Sequence, residues 1–365
     1  MQFKDIVGQR VLINRMTETI DTDRVSHAQM LLGQMGYGTL ALAVAYVQYL
    51  LCEHRVHFAE DSKLRADSCG ECPNCKKVQN LIHPDLHFFF PTTTTPRVKE
   101  KPRCQDFREE FHRFLIENKM YVSLDDWYNY SGAENKQGQY RAADADEMVS
   151  LLGKKAYEGK QKVFLLWMSE LMGNVVANKL LKSLEEPYEN TLIMLIGESN
   201  ELMLPTVKSR VQTTLVPRIL DGGLPDEAEG NYLSALSMAG DDVLLQTKAM
   251  FVDWMRLLFK LKMDALSKWV DNAAALGRRR QKAFLDYALG AVRRCFEQTV
   301  SAGQANLNTG DDRFDAMFPA MITSRNLEQI YNSINDAKYA IDRNANPKAL
   351  FMYLSFQLSR HIKNR

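Results

Sequence analysis

The sequence predicts an α/β domain built on a mostly parallel sheet, followed by an all-α domain. In the first 215 residues, short apolar stretches alternate with segments of helical periodicity, as in a sheet covered by helices on both faces. A glycine-rich loop joins the first of these stretches to a helix, and beyond Pro217 only long amphipathic segments remain. At 365 residues the chain is long enough for two or three compact units.

The elements of the α/β domain follow from the pattern of apolar residues. Those from Leu40 to Leu51 recur at helical spacing, which predicts a helix over 39–51. Strands are predicted at 28–32, 86–90, 163–168 and 192–196, and further helices at 143–157 and 170–185. The last helix is expected to end before Pro187, because proline cannot continue a helix.

Two regions depart from this alternation. The stretch from about 91 to 140 is polar with scattered aromatic residues, and we interpret it as an irregular insertion. The C-terminal part carries amphipathic segments, whose aromatic residues we assign to the core rather than to a cofactor site. These segments are 243–269, 282–299, 327–343 and 347–362. The predicted organisation is an α/β domain at 1–215, a short segment at 216–240 and a helical domain at 241–365.

Composition and charge exclude several classes of protein. About 45% hydrophobic and 25% charged residues are ordinary for a globular chain, and no apolar run is long enough to cross a bilayer. Residues 1–15 mix charged and apolar side chains, so we expect a cytoplasmic protein without a signal peptide. A net charge of +1 is not that of a nonspecific DNA binder, and the run at 278–280 is interpreted as a solvated helix face.

Three of the six cysteines form a knuckle typical of a zinc site. Cys69, Cys72 and Cys75 are separated by two residues each, a spacing that suits tetrahedral metal coordination. Cys52 is the natural fourth ligand. The weaker alternatives are His54 and His57. Four protein ligands would close the site, so the predicted zinc is structural rather than catalytic. The isolated cysteines are Cys104 and Cys295.

The glycine-rich loop has the frame of a phosphate-binding loop without its functional side chains. Gly33, Gly36 and Gly38 stand between a predicted strand and a predicted helix. A working loop needs a lysine that reaches the outer phosphates, followed by a Ser or Thr for magnesium. Thr39 and Leu40 stand at these two positions, so both the charged contact and the metal-directed contact are absent.

A second loss is predicted at the end of the strand 163–168. Acids are expected there to hold magnesium and to position water, yet the strand ends in Trp167 and Met168. Without these groups the charge that develops on a transferred phosphate has no partner, so ATP hydrolysis by this chain should be negligible. The alternative is an active ATPase that uses other residues, with Glu170 as the acid.

Several motifs resemble those of bacterial clamp-loader subunits of the AAA+ family. The likeness covers roughly residues 1–215, is patchy from Thr92 to Tyr140 and is mainly architectural beyond. The motifs are Phe3–Gln9, His27–Ala28, the Cys69–Cys75 knuckle with His83–Asp85, Asn178–Pro187 and Leu204–Arg210.

The resemblance implies a role for Ser209 and Arg210. In this family a Ser-Arg pair before the last strand of the domain acts in trans as an arginine finger, and Ser209-Arg210 occupies that position. Val211 follows, where the family usually has Cys, and this mild change leaves the role of the arginine in place. An intact finger beside an inactive nucleotide site implies a stator-like subunit, which completes the active site of a neighbour without hydrolysing ATP itself.

The resemblance also implies an assembly. Its expected partners are the delta and the gamma or tau subunits of a DNA polymerase III clamp loader, which places a sliding clamp on primed DNA. The cysteine knuckle would form a zinc module at 52–75, and the C-terminal helices would join a pentameric collar. The chain departs from the family in its long Cys52–Cys69 gap, its expanded insertion and a segment at 216–240 that is short for a complete lid domain. A zinc-knuckle adaptor outside clamp loading is an alternative of a different class.

Overall fold

The computed structural model of the protein divides into two compact units, Met1–Gly223 and Leu224–Arg365. It describes the whole chain except residues 60–61, 134–135, 159, 187, 226–227, 229, 239–240, 261, 301–306, 308, 344 and 364–365. Within the described residues, every helix is too short or too polar to span a lipid bilayer.

The first unit is built on a five-stranded parallel sheet. Its strands, together with those of a small antiparallel hairpin, are β1 (Ala28–Leu32), β2 (Val56–His57), β3 (Ala66–Asp67), β4 (Leu86–Phe89), β5 (Lys162–Trp167), β6 (Thr191–Gly197) and β7 (Gln212–Leu215). The strand order in the sheet is β4-β5-β6-β1-β7, and each neighbouring pair is parallel. Strands β1, β5 and β6 are buried along their whole length, which explains their continuous apolar sequences.

Eight α-helices belong to the described part of the first unit. They are α1 (Arg10–Asp21), α2 (Thr39–Leu51), α3 (Pro73–Gln79), α4 (Cys104–Glu117), α5 (Leu124–Tyr130), α6 (Ala142–Leu152), α7 (Asn174–Glu185) and α8 (Pro205–Lys208). Helix α2 follows β1 directly after the glycine-rich loop, as predicted. The carboxyl ends of β1, β5 and β6 meet at one edge of the sheet, which is where parallel sheets place their ligands.

The predicted α/β fold is confirmed, with small shifts at the ends of elements. Helix α6 ends at Leu152 rather than at residue 157, and a 3-10 helix over Ser169–Leu171 separates β5 from α7. Pro187, the predicted helix stop, lies outside the described residues. Residues 216–223 belong to the first unit, where Val216 donates its N–H to the Leu32 carbonyl at 2.8 Å. The role of 224–240 as a reduced lid stays a prediction.

The prediction that the stretch 91–140 is irregular is wrong, whereas its assignment as an insertion stays a prediction. This stretch contains α4 and α5, and Phe107, Phe111 and Phe114 recur along α4 at helical spacing. Their ring centroids lie 6.2, 4.9 and 5.6 Å from that of Trp127 on α5. The scattered aromatic residues are therefore the interface of a helix pair, and the polar residues between them form its outer surface.

The second unit is all-α, as predicted. Its helices are α9 (Tyr232–Met238), α10 (Asp241–Lys260), α11 (Met263–Ala275), α12 (Arg278–Val300), α13 (Asp312–Met317), α14 (Leu327–Asp342) and α15 (Pro347–Lys363). The single amphipathic segment predicted at 243–269 is divided between α10 and α11. Trp254 and Trp269 stack at 4.9 Å in the core, and the indole N–H of Trp254 donates to Ser355 Oγ at 2.8 Å. Phe251 and Tyr287 are likewise fully buried, so the aromatic residues predicted for the core pack there.

Two histidines of the first unit are expected to make its stability depend on pH. Burial, assisted by the positive charge of Arg108, lowers the pKa of His87 and of His112 to about 4. In the unfolded chain both rings take up a proton near pH 6.5, so stability is complete above that pH and is lost as pH falls from 6.5 towards 4. We expect a loss on the order of 2 kcal/mol for each histidine.

Urea denaturation at several pH values measures the free energy of unfolding. Histidine variants then distinguish the contribution of these two rings from that of the carboxylates, which also titrate in this range. In the variants His87→Gln and His112→Gln, the loss between pH 7 and pH 4.5 should be smaller than in the wild type. Replacement of His54, whose ring is exposed, is the matched control and should leave the slope unchanged. An identical pH slope in all four proteins would contradict the prediction.

Candidate functional site

The glycine-rich loop lies at the carboxyl edge of the sheet, between β1 and α2. Gly36 and Gly38 have φ angles of +85° and +84°, a left-handed conformation that glycine adopts without steric cost. Gly38 is the N-cap of α2, and its carbonyl accepts the N–H of Leu42 at 2.8 Å. The geometry of strand, loop and helix is therefore that of a phosphate-binding loop, with the positive end of a helix dipole behind it.

The residues at the two functional positions of the loop are buried and line the cleft beside it. Thr39 and Leu40 are both buried, as are the other residues of α2 as far as Tyr49. Thr39 carries no charge to offer a phosphate, and Leu40 has no oxygen to offer magnesium. The predicted loss of both contacts is thus consistent with the packing of these residues.

The neighbouring strand ends in two large apolar residues. Trp167 is the last residue of β5, and its carbonyl accepts the hydroxyl of Tyr140 at 2.6 Å while its ring packs 5.5 Å from that of Phe111. Met168, with a φ angle of +56°, lies beside the glycine-rich loop. The positions from which acids would hold magnesium are therefore filled by hydrophobic side chains.

The cleft above the glycine-rich loop is nearly filled. It has a volume of about 30 Å³, whereas small-molecule pockets are typically 300–1,000 Å³. Besides the loop, Trp167 and Met168, the lining includes Glu198 after β6 and the residues Met120–Val122 from the connection between α4 and α5. These residues could not be predicted, because nothing in the local sequence indicates that the connection reaches the loop.

Glu170, the acid of the alternative ATPase hypothesis, has a structural partner. Its Oε1 accepts the N–H of Glu198 at 2.8 Å, and burial raises the pKa of its carboxyl group. A side chain built on Gly197 would lie 2.7 Å from its Oε2. Glu170 therefore packs beneath the loop that follows β6.

Arg210 lies between α8 and β7, where its guanidinium group is held by the chain itself. Its Nε donates to Glu185 Oε1 at 2.6 Å, and its Nη2 forms an ion pair with the same oxygen. Its Nη1 donates to the Thr206 carbonyl at 2.8 Å and to Ser209 Oγ at 3.0 Å. Ser209 is the C-cap of α8. The side chain is partly exposed, and these contacts fix its planar guanidinium group at the surface of the unit.

The four cysteines of the knuckle come together in space. Cys52 follows α2, Cys69 follows the β2–β3 hairpin, and Cys72 and Cys75 lie at the start of α3. Their Sγ atoms all lie within 4.8 Å of one another. The structure thus brings Cys52 to the knuckle across the long gap, whereas His57 is paired with Asp21 at 3.1 Å.

The cluster has the dimensions and chemistry of a tetrahedral metal site. Four thiolates at the usual zinc–sulfur distance have their sulfur atoms about 3.8 Å apart, and the Cys52–Cys69 and Cys69–Cys75 distances are 3.6 and 3.8 Å. Burial opposes ionisation of Cys69, but the N–H groups of Cys72 and Glu71 outweigh it and lower the pKa of this thiol to about 7. Burial raises the pKa of Cys52 and of Cys75, so a bound cation would be needed to keep these two as the thiolates that ligate metal; with it, the four residues could hold a metal ion.

The first residues of the chain connect the knuckle to the cleft. The buried carboxylate of Asp67, next to the knuckle, accepts the N–H groups of Phe3 and Lys4 at 2.9 Å each. A few residues later, the side-chain amide of Gln9 donates to the carbonyls of Tyr37 and Pro217 at 3.2 and 2.5 Å. The N-terminal motif therefore has a structural role at both sites.

Comparison with known proteins gives a consistent set of relatives. A family model described as DNA polymerase III, delta subunit, matches residues 8–219. The DNA polymerase III subunit delta' of Bacillus subtilis is 24% identical over 263 residues, which are 68% of this chain and 64% of that protein. That of Pseudomonas aeruginosa is 27% identical over 259 residues, 66% of this chain and 63% of that protein. The matches thus span just under two thirds of the length of these relatives.

Other relatives are more distant. The DNA polymerase III subunit tau/gamma of Haemophilus influenzae is 25% identical over 208 residues, 57% of this chain and 22% of that protein. Among solved structures, a gamma subunit-related protein of DNA polymerase III from Thermotoga maritima is 15% identical with a TM-score of 0.37, and covers 97% of this chain and 99% of its own. The Bacillus subtilis DNA clamp loader delta protein is 9% identical with a TM-score of 0.32, with coverages of 96% and 99%.

Proposed function

The chain belongs to the family described as DNA polymerase III, delta subunit, and from this membership we propose that it is the delta-prime subunit of a clamp loader. In this role it is a stator-like subunit, which helps to place a sliding clamp on primed DNA during replication and does not hydrolyse ATP. Its partners would be the delta and the gamma or tau subunits in the cytoplasm. The delta' proteins of two bacteria, at 24% and 27% identity, support this assignment.

The observation that carries the proposal is the state of the cleft above the glycine-rich loop. The loop keeps its backbone form, while Thr39, Leu40, Trp167 and Met168 stand where a lysine, a hydroxyl and two acids are needed. The cleft has a volume of only about 30 Å³. A nucleotide site that retains its scaffold without its chemistry supports a subunit that does not hydrolyse ATP at its own site.

Arg210 would give this subunit its part in hydrolysis. A planar guanidinium group offered across a subunit boundary can stabilise the charge that grows on a phosphate in a neighbouring site. The contacts to Glu185, Thr206 and Ser209 support this role, because a group that is already oriented loses little freedom when it meets a phosphate.

The cysteine cluster would bind a structural Zn²⁺ ion that stabilises the module beside α2.

The isolated chain is expected to show no ATP turnover. With millimolar Mg-ATP, phosphate release should equal the background without protein, because the groups that would hold magnesium and the outer phosphates are missing. The same preparation should form one complex with delta and gamma or tau subunits in size-exclusion chromatography.

Each alternative has a distinct outcome. Magnesium-dependent turnover that disappears in Glu170→Ala would establish an active ATPase and overturn the proposal. Absence of turnover together with failure to assemble would instead favour the zinc-knuckle adaptor.

A further inference from the structure

The connection between α4 and α5 packs into the nucleotide cleft. Met120, Tyr121 and Val122 are 4%, 6% and 8% exposed, and all three line the cleft above the glycine-rich loop. They are part of the insertion at 91–140, far in sequence from both the loop and the end of β5. These three side chains form part of the wall of the cleft.

Tyr121 joins two walls of the cleft. Its hydroxyl accepts the N–H of Val7 at 3.0 Å, so the tip of the ring is tied to the segment that precedes α1. On the other side, a Cβ atom built on Gly38 would lie 3.2 Å from the hydroxyl and 3.3 Å from the ring. The ring thus lies directly against the start of α2, where the backbone N–H groups would otherwise face a phosphate.

The backbone of the connection is held in an uncommon conformation. Lys119 and Met120 have φ angles of +50° and +63°, which non-glycine residues adopt only where the surroundings impose them. The N–H of Met120 donates to the Leu115 carbonyl at 2.8 Å, and that of Tyr121 donates to the Asn118 carbonyl at 3.0 Å. The aromatic interface of α4 and α5 anchors both ends, so the side chains are presented to the cleft by a rigid support.

We propose that the side chains of residues 120–122, held by the turn 118–122, close the nucleotide cleft. Without the lysine and the acids, the site lacks the groups that would bind and hydrolyse a nucleotide. The turn in addition takes up the space that a nucleotide would need. It would therefore exclude nucleotide even if the lysine and the acids were restored. The inference concerns binding rather than hydrolysis and does not depend on the role of Arg210. It assigns to the insertion a function inside the first unit.

A variant with the missing side chains of the loop restored tests whether the turn excludes nucleotide by itself. The double variant Thr39→Lys, Leu40→Thr places the lysine and the hydroxyl of a working loop, and Tyr121→Ala is then added to it. Isothermal titration with Mg-ATP is expected to show no binding to the wild type or to the double variant. The triple variant should bind at least ten times more tightly than the double variant.

Two further tyrosine variants in the restored loop serve as controls. Tyr128→Ala removes another buried tyrosine of the insertion, which bonds to the Gly138 N–H away from the cleft, and should not permit binding. Tyr121→Phe keeps the ring and should still exclude Mg-ATP. Equal affinity of the double and triple variants, or no binding by a folded triple variant, would overturn the proposal.

Hydrogen exchange tests the same inference without any change in the loop. In the wild-type background, Tyr121→Ala should speed exchange of the amides of residues 36–39 at least tenfold, because it opens the space above them. Tyr128→Ala should leave these rates unchanged. Equal rates in both variants would show that Tyr121 does not cover the loop.

Discussion

Replacing Arg210 with alanine in a reconstituted clamp loader is expected to lower the rate of ATP hydrolysis by about 10³–10⁵-fold at the one site that receives this side chain. The rate falls because the positive guanidinium group, which stabilises the charge that develops on the phosphate in the neighbouring site, is removed. Total turnover should fall by the fraction that this one site contributes. Single-turnover measurements with DNA present distinguish the slowed site from the other sites.

Two matched variants make this result specific to the arginine. Arg210→Lys keeps the charge but not the planar group that Glu185 and the Thr206 carbonyl orient, so it should restore only part of the rate. Arg97 is another exposed arginine of the first unit in an ion pair, with Glu110 at 3.0 Å, and Arg97→Ala should leave turnover unchanged. Wild-type turnover in an assembled Arg210→Ala complex would refute the trans-acting role.

Replacing Cys72 with serine should remove one equivalent of zinc and disorder the knuckle. A structural zinc ion contributes about 10–16 kcal/mol to folding in isolated zinc-finger peptides, and three remaining thiolates cannot complete the tetrahedron. Because the knuckle here is attached to a large sheet, we expect local disorder of residues 66–79 rather than unfolding of the whole unit. Elemental analysis gives the zinc content, and hydrogen exchange locates the disorder.

The second unit offers a control for the cysteine change. Cys295 is fully buried in the helical unit, and Cys295→Ser should retain the zinc although it removes a buried thiol. Native protein purified without any bound metal, but with the knuckle fully protected from exchange, would show that the four cysteines pack as thiols and would remove the zinc proposal.

Most of the fold could be predicted because its central strands are buried on both faces. Continuous apolar runs such as Leu192–Ile196 are visible without any alignment, and the glycine-rich loop marks where β1 turns into α2. The knuckle was equally visible, since ligand spacing is local. Cys52, the expected fourth ligand, does join the other three cysteines across the long gap.

The contents of the cleft could not be predicted, because they depend on contacts between distant residues. Tyr121 meets Gly38 and Val7 across more than eighty residues of sequence, and the left-handed backbone at Lys119 and Met120 has no signature in a lysine or a methionine. The same limit applies to Glu185, whose pairing with Arg210 depends on how α7 packs beside α8.

The contacts of the first nine residues have a consequence for how the protein opens. Asp67 holds Phe3 and Lys4 beside the knuckle, and Val7 holds the tip of Tyr121 in the cleft. Because the N–H groups of Phe3, Lys4 and Val7 are the donors in these bonds, their exchange rates would report opening at the knuckle and opening at the cleft separately.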